Sequence, residues 1–245
     1  MIKHVELQNE EGKTLRGYLH LPSDCNGKLV IMFHGFTGNK TEHGGHFRDF
    51  SRLLERNQIA SLRLDFSGNG ESDGNFNEFT FDTLISEANL IINYGKALEG
   101  IKEIILLGYS MGGAIAAYVS ARRTDISKLV LWAPARNITE IIKTRYENAR
   151  KLPNGDADSG NYPISLAMYE SLNKYDVLAG IEKFEKPVLI IHGKLDLAVN
   201  YQFSYEYLER FKHASLHIID TAGHGFDLRE EKNKLLNMSY EFVRG

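Results

Sequence analysis

Cysteine is nearly missing from this chain. Cys25 is the only one in 245 residues, so neither an internal disulfide nor a cysteine-based metal cluster can form. It lies in a polar turn, far in sequence from any candidate base, and is given no catalytic role. A dominant charge is missing too: 29 Lys and Arg against 32 Asp and Glu leave a net −3. That balance offers nucleic acid or an anionic membrane surface no electrostatic grip. No apolar run approaches the length needed to span a bilayer. The first residues, Met1 to Glu6, lack the apolar core of a signal peptide, and the chain is expected to work in the cytoplasm. Internal repeats and low-complexity tracts are also absent. With 42% hydrophobic and 25% charged residues, the composition is that of an ordinary globular enzyme. The length suits a single domain, 1–245, with room for an insertion.

What is present is an alternation of short apolar runs and helical patterns. Val5 and Leu7, then Leu15, Gly17, Leu19 and Leu21, alternate with polar neighbours and predict an antiparallel hairpin at a sheet edge. From Leu29 onward the runs stop alternating: Leu29 to Phe33, Leu62 to Leu64, Ile104 to Leu107, Leu129 to Trp132, Val188 to Ile191 and Leu216 to Ile219. Such runs suit strands covered on both faces. Between them, Phe47, Phe50, Leu53 and Leu54 share one helical face, as do Phe81, Leu84, Ile85, Ala88 and Ile92. Phe203, Tyr207 and Phe211 predict another helix, and Leu235, Met238 and Phe242 a last one. Together these predict an α/β fold, a mostly parallel sheet with helices on both faces. One segment, about 135–180, breaks the rhythm with helix-like material, several tyrosines and no convincing strand. Ordinary connections run to about 4–6 residues, so this stretch is expected to be an insertion that caps the sheet edge as a lid.

The chemistry is concentrated at Gly108-Tyr109-Ser110-Met111-Gly112. An apolar strand runs straight into this Gly-x-Ser-x-Gly and a small-residue helix leaves it, which is the setting a nucleophile elbow requires. A serine hydroxyl needs a base, and the base an orienting acid. Asp196 falls just past the Val188 strand and His224 just past the Leu216 strand, where doubly wound sheets place their sites. The order Ser110, Asp196, His224 is that of the α/β-hydrolases. His4, His20 and His217 lie in or beside strands and read as packing or surface residues, and His192 as a support for the acid. Asp220 is the backup acid, while Asp65 reads as the fixer of a turn. The oxyanion donors are expected to be the backbone amides of Met111 and of Phe36, the latter in the glycine loop His34-Gly35-Phe36-Thr37-Gly38. Gly68-Asn69-Gly70 lacks the Lys-Ser/Thr of a phosphate loop. His43-Gly44-Gly45-His46 lacks the further ligands of a metal site, and no metal is expected.

These residues resemble the α/β-hydrolase superfamily over essentially the whole chain. His34-Gly35-Phe36-Thr37-Gly38, Leu64-Asp65 through Ser72-Asp73-Gly74, and Trp132-Ala133-Pro134-Ala135 look like the small bacterial carboxylesterases that include cinnamoyl (feruloyl) esterases. The elbow reads Gly-Tyr-Ser-Met-Gly where cinnamoyl esterases often read Gly-His-Ser-Gln-Gly. The resemblance implies hydrolysis of a small-molecule ester, no cofactor, a common homodimeric state, and an insertion after the Trp-Ala-Pro strand that shapes the acyl pocket. In that insertion Glu140 or Tyr169 would meet a phenolic hydroxyl of the substrate. Monoacylglycerol lipase and thioesterase activities are the alternatives within the enzyme class. A hydrolase-fold ligand-binding protein is the alternative outside it.

Overall fold

The apolar runs form strands because the sheet covers their edges and helices cover their faces. The computed structural model describes residues 1–160 and 162–245. Among these, eight strands make one sheet: β1 (Ile2–Gln8), β2 (Thr14–His20), β3 (Lys28–Phe33), β4 (Ala60–Leu64), β5 (Glu103–Tyr109), β6 (Ile126–Trp132), β7 (Val188–Gly193) and β8 (Ala214–Ile219). Across the sheet they lie in the order β1-β2-β4-β3-β5-β6-β7-β8. The hairpin β1–β2 is antiparallel, with Val5 opposite Gly17, and β2 runs antiparallel to β4. The remaining pairs are parallel.

Successive residues of a strand point to opposite faces, and here both faces are core. Leu29, Ile31 and Phe33 of β3 face one apolar cluster with Leu106 and Leu131. Val30 and Met32 face the other with Ile105, Leu107 and Trp132. Helices α2 (Phe81–Lys96), α3 (Met111–Ser120) and α6 (Phe203–Arg210) close the first face. Helices α1 (His46–Arg56) and α7 (Arg229–Arg244) close the second. Each fully buried Leu, Ile or Phe in these layers contributes about 1.5–3 kcal/mol. The free-edge strand β8 departs from the expected continuous burial: residues 214–218 alternate between partly buried and exposed and Ile219 alone is buried, because only one neighbouring strand protects it.

Chain order decides where the site lies. From β3 the chain moves outward to β4, and it then crosses back to β5 on the other side of β3. The carboxyl ends of β3 and β5 therefore diverge into a crevice, the place where open α/β sheets bind ligands. Residues 34–38 leave β3 there, and Ser110 leaves β5. The segment 135–180 follows β6 and carries α4 (Ile138–Asn148) and α5 (Leu166–Leu172). Its only β pairing among the described residues is a pair of isolated bridges, Lys151–Ala157 and Ala157–Ile164. It rests over the same end of the sheet. The Arg145 guanidinium lies 5.5 Å from the Phe36 ring, Tyr162 packs edge-on against Phe76 at 4.9 Å, and Asn77 donates to Asp156 at 2.7 Å.

Candidate active site

Ser110 occupies a single-residue corner between β5 and α3, with φ 54° and ψ −117°. A side chain in this region is strained by about 1–3 kcal/mol, and the surrounding backbone must hold it there. It does so with hydrogen bonds: the Ser110 amide donates to the Trp132 carbonyl at 2.9 Å, and the Ser110 carbonyl accepts from Gly113 and Ala135 at 3.0 Å each. The flanking glycines are demanded by close approach. A Cβ on Gly108 would stand 2.1 Å from the Gly112 carbonyl oxygen, and one on Gly112 would stand 2.0 Å from that of Phe33.

His224 Nε2 lies 3.1 Å from Ser110 Oγ, and His224 Nδ1 lies 2.6 Å from Asp196 Oδ2. The carboxylate can only accept, so Nδ1 carries the proton and Nε2 is left with its lone pair toward the serine. Asp196 has no side-chain exposure. The amides of Ala198 and Val199 donate to its Oδ1 at 2.8 and 2.7 Å, and His192 Nε2 stands 3.0 Å from its Oδ2. Burial by itself would raise this carboxyl. The hydrogen bonds from His192 and His224, with that of Val199, outweigh burial and hold it well below the usual carboxylate range. His192 is itself fixed, its Nδ1 lying 2.6 Å from Ser204 Oγ at the start of α6. It is the support for the acid that its position suggested. Asp220, the backup acid, is exposed and paired with Lys194 at 2.8 Å.

Two amides lie near the serine, that of Met111, the next residue in the chain, and that of Phe36, which lines the same cavity. Among the described residues, neither Phe36 N–H nor Met111 N–H donates to a protein acceptor. Met111 is the first residue of α3, where an intrahelical partner is impossible and the helix dipole adds positive potential. The Gly35 carbonyl is drawn the opposite way, accepting from Gly38 N–H at 3.0 Å and lying 2.9 Å from His34 Nδ1. A trans peptide is planar with its C=O and N–H opposed, so this draws the Phe36 N–H outward. A cavity of about 450 Å³ opens beside Ser110, with Gly35, Phe36, Glu42, Tyr109, His224 and Asp227 in its wall. The arrangement has the parts for attack by an oxygen nucleophile on a carbonyl: a base, an orienting acid and anion-facing donors.

The family described as serine aminopeptidase, S33, matches residues 24–154, more than half of the chain and the part that holds the loop after β3 and the elbow. The chain belongs to that α/β-hydrolase family. Among solved structures, the chain is similar to Est1E from Butyrivibrio proteoclasticus with ferulic acid bound, at 27% identity and a TM-score of 0.85, covering 98% of this chain and 100% of that one. Among curated proteins it is 31% identical over 201 residues to a multifunctional-autoprocessing repeats-in-toxin of Vibrio vulnificus. That match covers 76% of this chain and only 4% of the toxin. It is also 29% identical over 135 residues to the monoglyceride lipase of Rattus norvegicus, covering 52% of this chain and 42% of the lipase.

Within this serine aminopeptidase-family chain, the five residues expected around the reacting carbonyl are brought together and the two expected at a phenolic hydroxyl are not. Glu140 is largely exposed on α4 with its carboxylate 4.0 Å from Arg136. Tyr169 stacks on Tyr146 with ring centroids 4.5 Å apart, and its hydroxyl donates to Glu147 at 3.3 Å. Neither lines the cavity. Asp65 does fix a turn: buried, it accepts from the Lys40 and Glu71 amides at 2.5 and 2.8 Å. His43 and His46 do not converge on a common point. His43 pairs with Asp227 at 2.5 Å and His46 lies 2.7 Å from the Gly225 carbonyl.

Two cavity residues escaped the sequence reading. Tyr109 donates its hydroxyl to the His224 carbonyl at 2.7 Å and lays its ring 5.1 Å from the imidazole; burial pushes this phenol's pKa up. Its place beside the nucleophile was the available signal. Glu42 is buried under the loop after β3, and no periodicity or motif marked it.

Proposed function

We propose that this protein is a serine carboxylesterase that hydrolyses small carboxylic esters, aryl or hydroxycinnamoyl esters in particular, through an acyl-enzyme on Ser110. One observation carries the reading. The hydrogen-bonded line Asp196–His224–Ser110 ends next to Met111 and in the cavity lined by Phe36, and among the described residues neither of their amides has a protein acceptor. Ser110 Oγ attacks the ester carbonyl while His224 Nε2 takes its proton, and Asp196 holds the imidazole and stabilises its cation. The Phe36 and Met111 amides receive the carbonyl oxygen as it becomes an oxyanion. When the C–O bond breaks, His224 returns the proton to the departing alcohol. It then takes a proton from water, whose oxygen attacks the acyl-enzyme, and Ser110 recovers its proton as the carboxylic acid leaves.

The likeness to the ferulic-acid-bound Est1E over the full length of both chains supports an aromatic acyl group. The Phe36 ring, which lines the cavity and packs edge-on against Phe76 with centroids 5.1 Å apart, supports an apolar contact for it. The likeness to a monoglyceride lipase favours a second reading, an ester of glycerol with a longer acyl chain. A panel of p-nitrophenyl acetate, butyrate and decanoate, methyl ferulate, a monoacylglycerol and an aminoacyl p-nitroanilide separates these readings. Turnover is expected to favour methyl ferulate and short aryl esters, and preference for the monoacylglycerol would overturn the acyl assignment. Ser110→Ala is expected to lower turnover by about 10⁵–10⁶-fold with an unchanged circular dichroism spectrum. Substantial activity in that variant would overturn the mechanism.

A further inference from the structure

Glu42 has an unusual backbone and an unusual charge. Its φ of 60° and ψ of 167° lie in a region essentially reserved for glycine. Its carboxylate is buried, yet the neighbouring cation, Lys40, is committed to Asp65 and Glu71 at 2.7 and 2.8 Å. Either feature alone opposes folding. Both are retained beside Ser110, in the wall of the cavity.

Together they fold the side chain back beneath the loop that leaves β3. Glu42 Oε2 accepts the Gly35 N–H at 2.8 Å, and Oε1 accepts the His43 N–H at 3.0 Å. The loop is shaped to let the carboxylate through: a Cβ on Gly38 would stand 2.9 and 3.0 Å from its two oxygens. Gly35 is thus gripped on both sides. Its N–H is held by Glu42, and its C=O by Gly38 N–H and the His34 ring. The second grip fixes the Phe36 N–H on the side of the peptide away from Gly38 N–H and the His34 ring, and the first stops residue 35 from rotating about its own bonds and undoing that direction.

We propose that Glu42 is a positioning residue of the oxyanion site, clamping the Gly35 amide so that the Phe36 N–H stays aimed at the developing negative charge. The inference rests on the serine-hydrolase reading above. Glu42 touches no reacting atom. A preorganised donor is effective because it need not reorient when charge develops, and a loop of glycines cannot supply that rigidity unaided.

The test compares Glu42→Gln and Glu42→Ala in the full chain by three readouts: labelling of Ser110 with a fluorophosphonate, steady-state hydrolysis of p-nitrophenyl butyrate, and inhibition by an aryl trifluoromethyl ketone. The ketone forms a hemiketal whose oxygen lies where the oxyanion would. In the Gln variant one oxygen still accepts an N–H, but the amide NH₂ faces the other donor. Labelling rate and kcat are expected to fall about 10²-fold in the Ala variant, in the range for loss of one oxyanion donor, and about tenfold in the Gln variant. KM should stay within about twofold, and ketone affinity should fall in step with kcat/KM. The Gln variant should melt no lower than the parent, because it removes a buried charge that lacks a cation. Labelling within twofold of the parent in folded variants overturns the proposal. So does a rise in KM with kcat and ketone affinity unchanged, since Glu42 would then be a ground-state contact. A loss that follows melting temperature in both variants makes the role structural and overturns it as well. An unlabelled parent overturns the serine reading and takes this inference with it, whereas a labelled parent with equally labelled variants overturns this inference alone.

Discussion

Asp196 and Glu42 are both buried carboxylates in the shell around Ser110, and their surroundings treat them oppositely. Asp196 receives two backbone amides and stands against two imidazoles, and its carboxyl is held well below the usual range despite burial. Glu42 receives two amides and no Lys or Arg among the described residues, and burial pushes its carboxyl above the usual range. In the proposed mechanism the difference matches what each carboxylate would do. Next to a histidine that must become a cation, a fixed negative charge is useful. Beneath a loop whose Phe36 amide would receive an anion, the useful property is acceptor geometry, and a strong local negative charge would oppose the chemistry.

The largest test of this contrast is Asp196→Asn. The amide cannot hold Nδ1–H in the way the carboxylate does, so the imidazole can adopt the wrong tautomer, and kcat is expected to fall about 10⁴-fold. The same variant, paired with Glu42→Gln, also gives opposite pH responses in thermal melts. The folded pKa of Asp196 lies below its usual value of 3.8. Its ionised form therefore stabilises the fold at neutral pH, and this is lost as the pH falls below about 4. Parent and Asp196→Asn should converge in stability toward acid. The folded pKa of Glu42 lies above its usual value of 4.5, so its ionisation opposes folding, and that penalty grows as the pH rises from about 4.5. Relative to the parent, Glu42→Gln should gain stability toward neutral pH. Gaps that change with pH in the same direction for both variants would break the comparison.

A smaller effect is expected at Tyr109, whose hydroxyl ties the His224 backbone to the elbow. Tyr109→Phe keeps the ring against His224 and removes only the hydrogen bond to its carbonyl. Leaving that carbonyl unpaired in a partly buried position costs about 1–3 kcal/mol. The melting temperature should fall by several degrees, and kcat by about 2–10-fold, because the loop carrying His224 is loosened while its side chain keeps its partners. A drop as large as that of Asp196→Asn would mean that the phenol itself enters the chemistry.

These cases also mark what was legible in the chain. The positions of Ser110, Asp196 and His224 followed from apolar runs, since each sits within a few residues of a strand end and a parallel sheet gathers its carboxyl ends on one side. Asp65 and His192 were legible for the same reason, lying one residue past β4 and at the end of β7. Glu42 was not, because its role depends on a positive φ that sequence pattern assigns to glycine and on a side chain that turns back across seven residues. The weaker burial of β8 was also hidden, since an edge is a property of strand order and not of the run Leu216 to Ile219. In the segment 135–180 the helix-like pattern corresponds to α4 and α5, with Ile138 and Ile142 on the buried face of α4. Which way its polar side chains turn was set by local pairing instead: Arg136 with Glu140 and Glu206, and Tyr169 with Tyr146 and Glu147.

That local pairing yields the smallest expected effect, and it separates the segment from the loops around Ser110. Glu140→Gln removes an exposed ion pair with 4.0 Å between its charged atoms, a contact worth about 0–1 kcal/mol. Tyr169→Phe removes a 3.3 Å hydrogen bond at the surface and keeps the stacked ring. Neither side chain lines the cavity. Both variants should keep kcat and KM for p-nitrophenyl butyrate and for methyl ferulate within about twofold of the parent, judged against the ~1.4 kcal/mol that a tenfold change requires. The two esters distinguish the possible failures. A loss confined to methyl ferulate would mean that the segment turns one of these groups inward when a phenol is bound, joining it to the site. A loss on both esters would mean that local pairing in the segment sets the position of the Phe36 loop, through contacts such as that between Arg145 and the Phe36 ring.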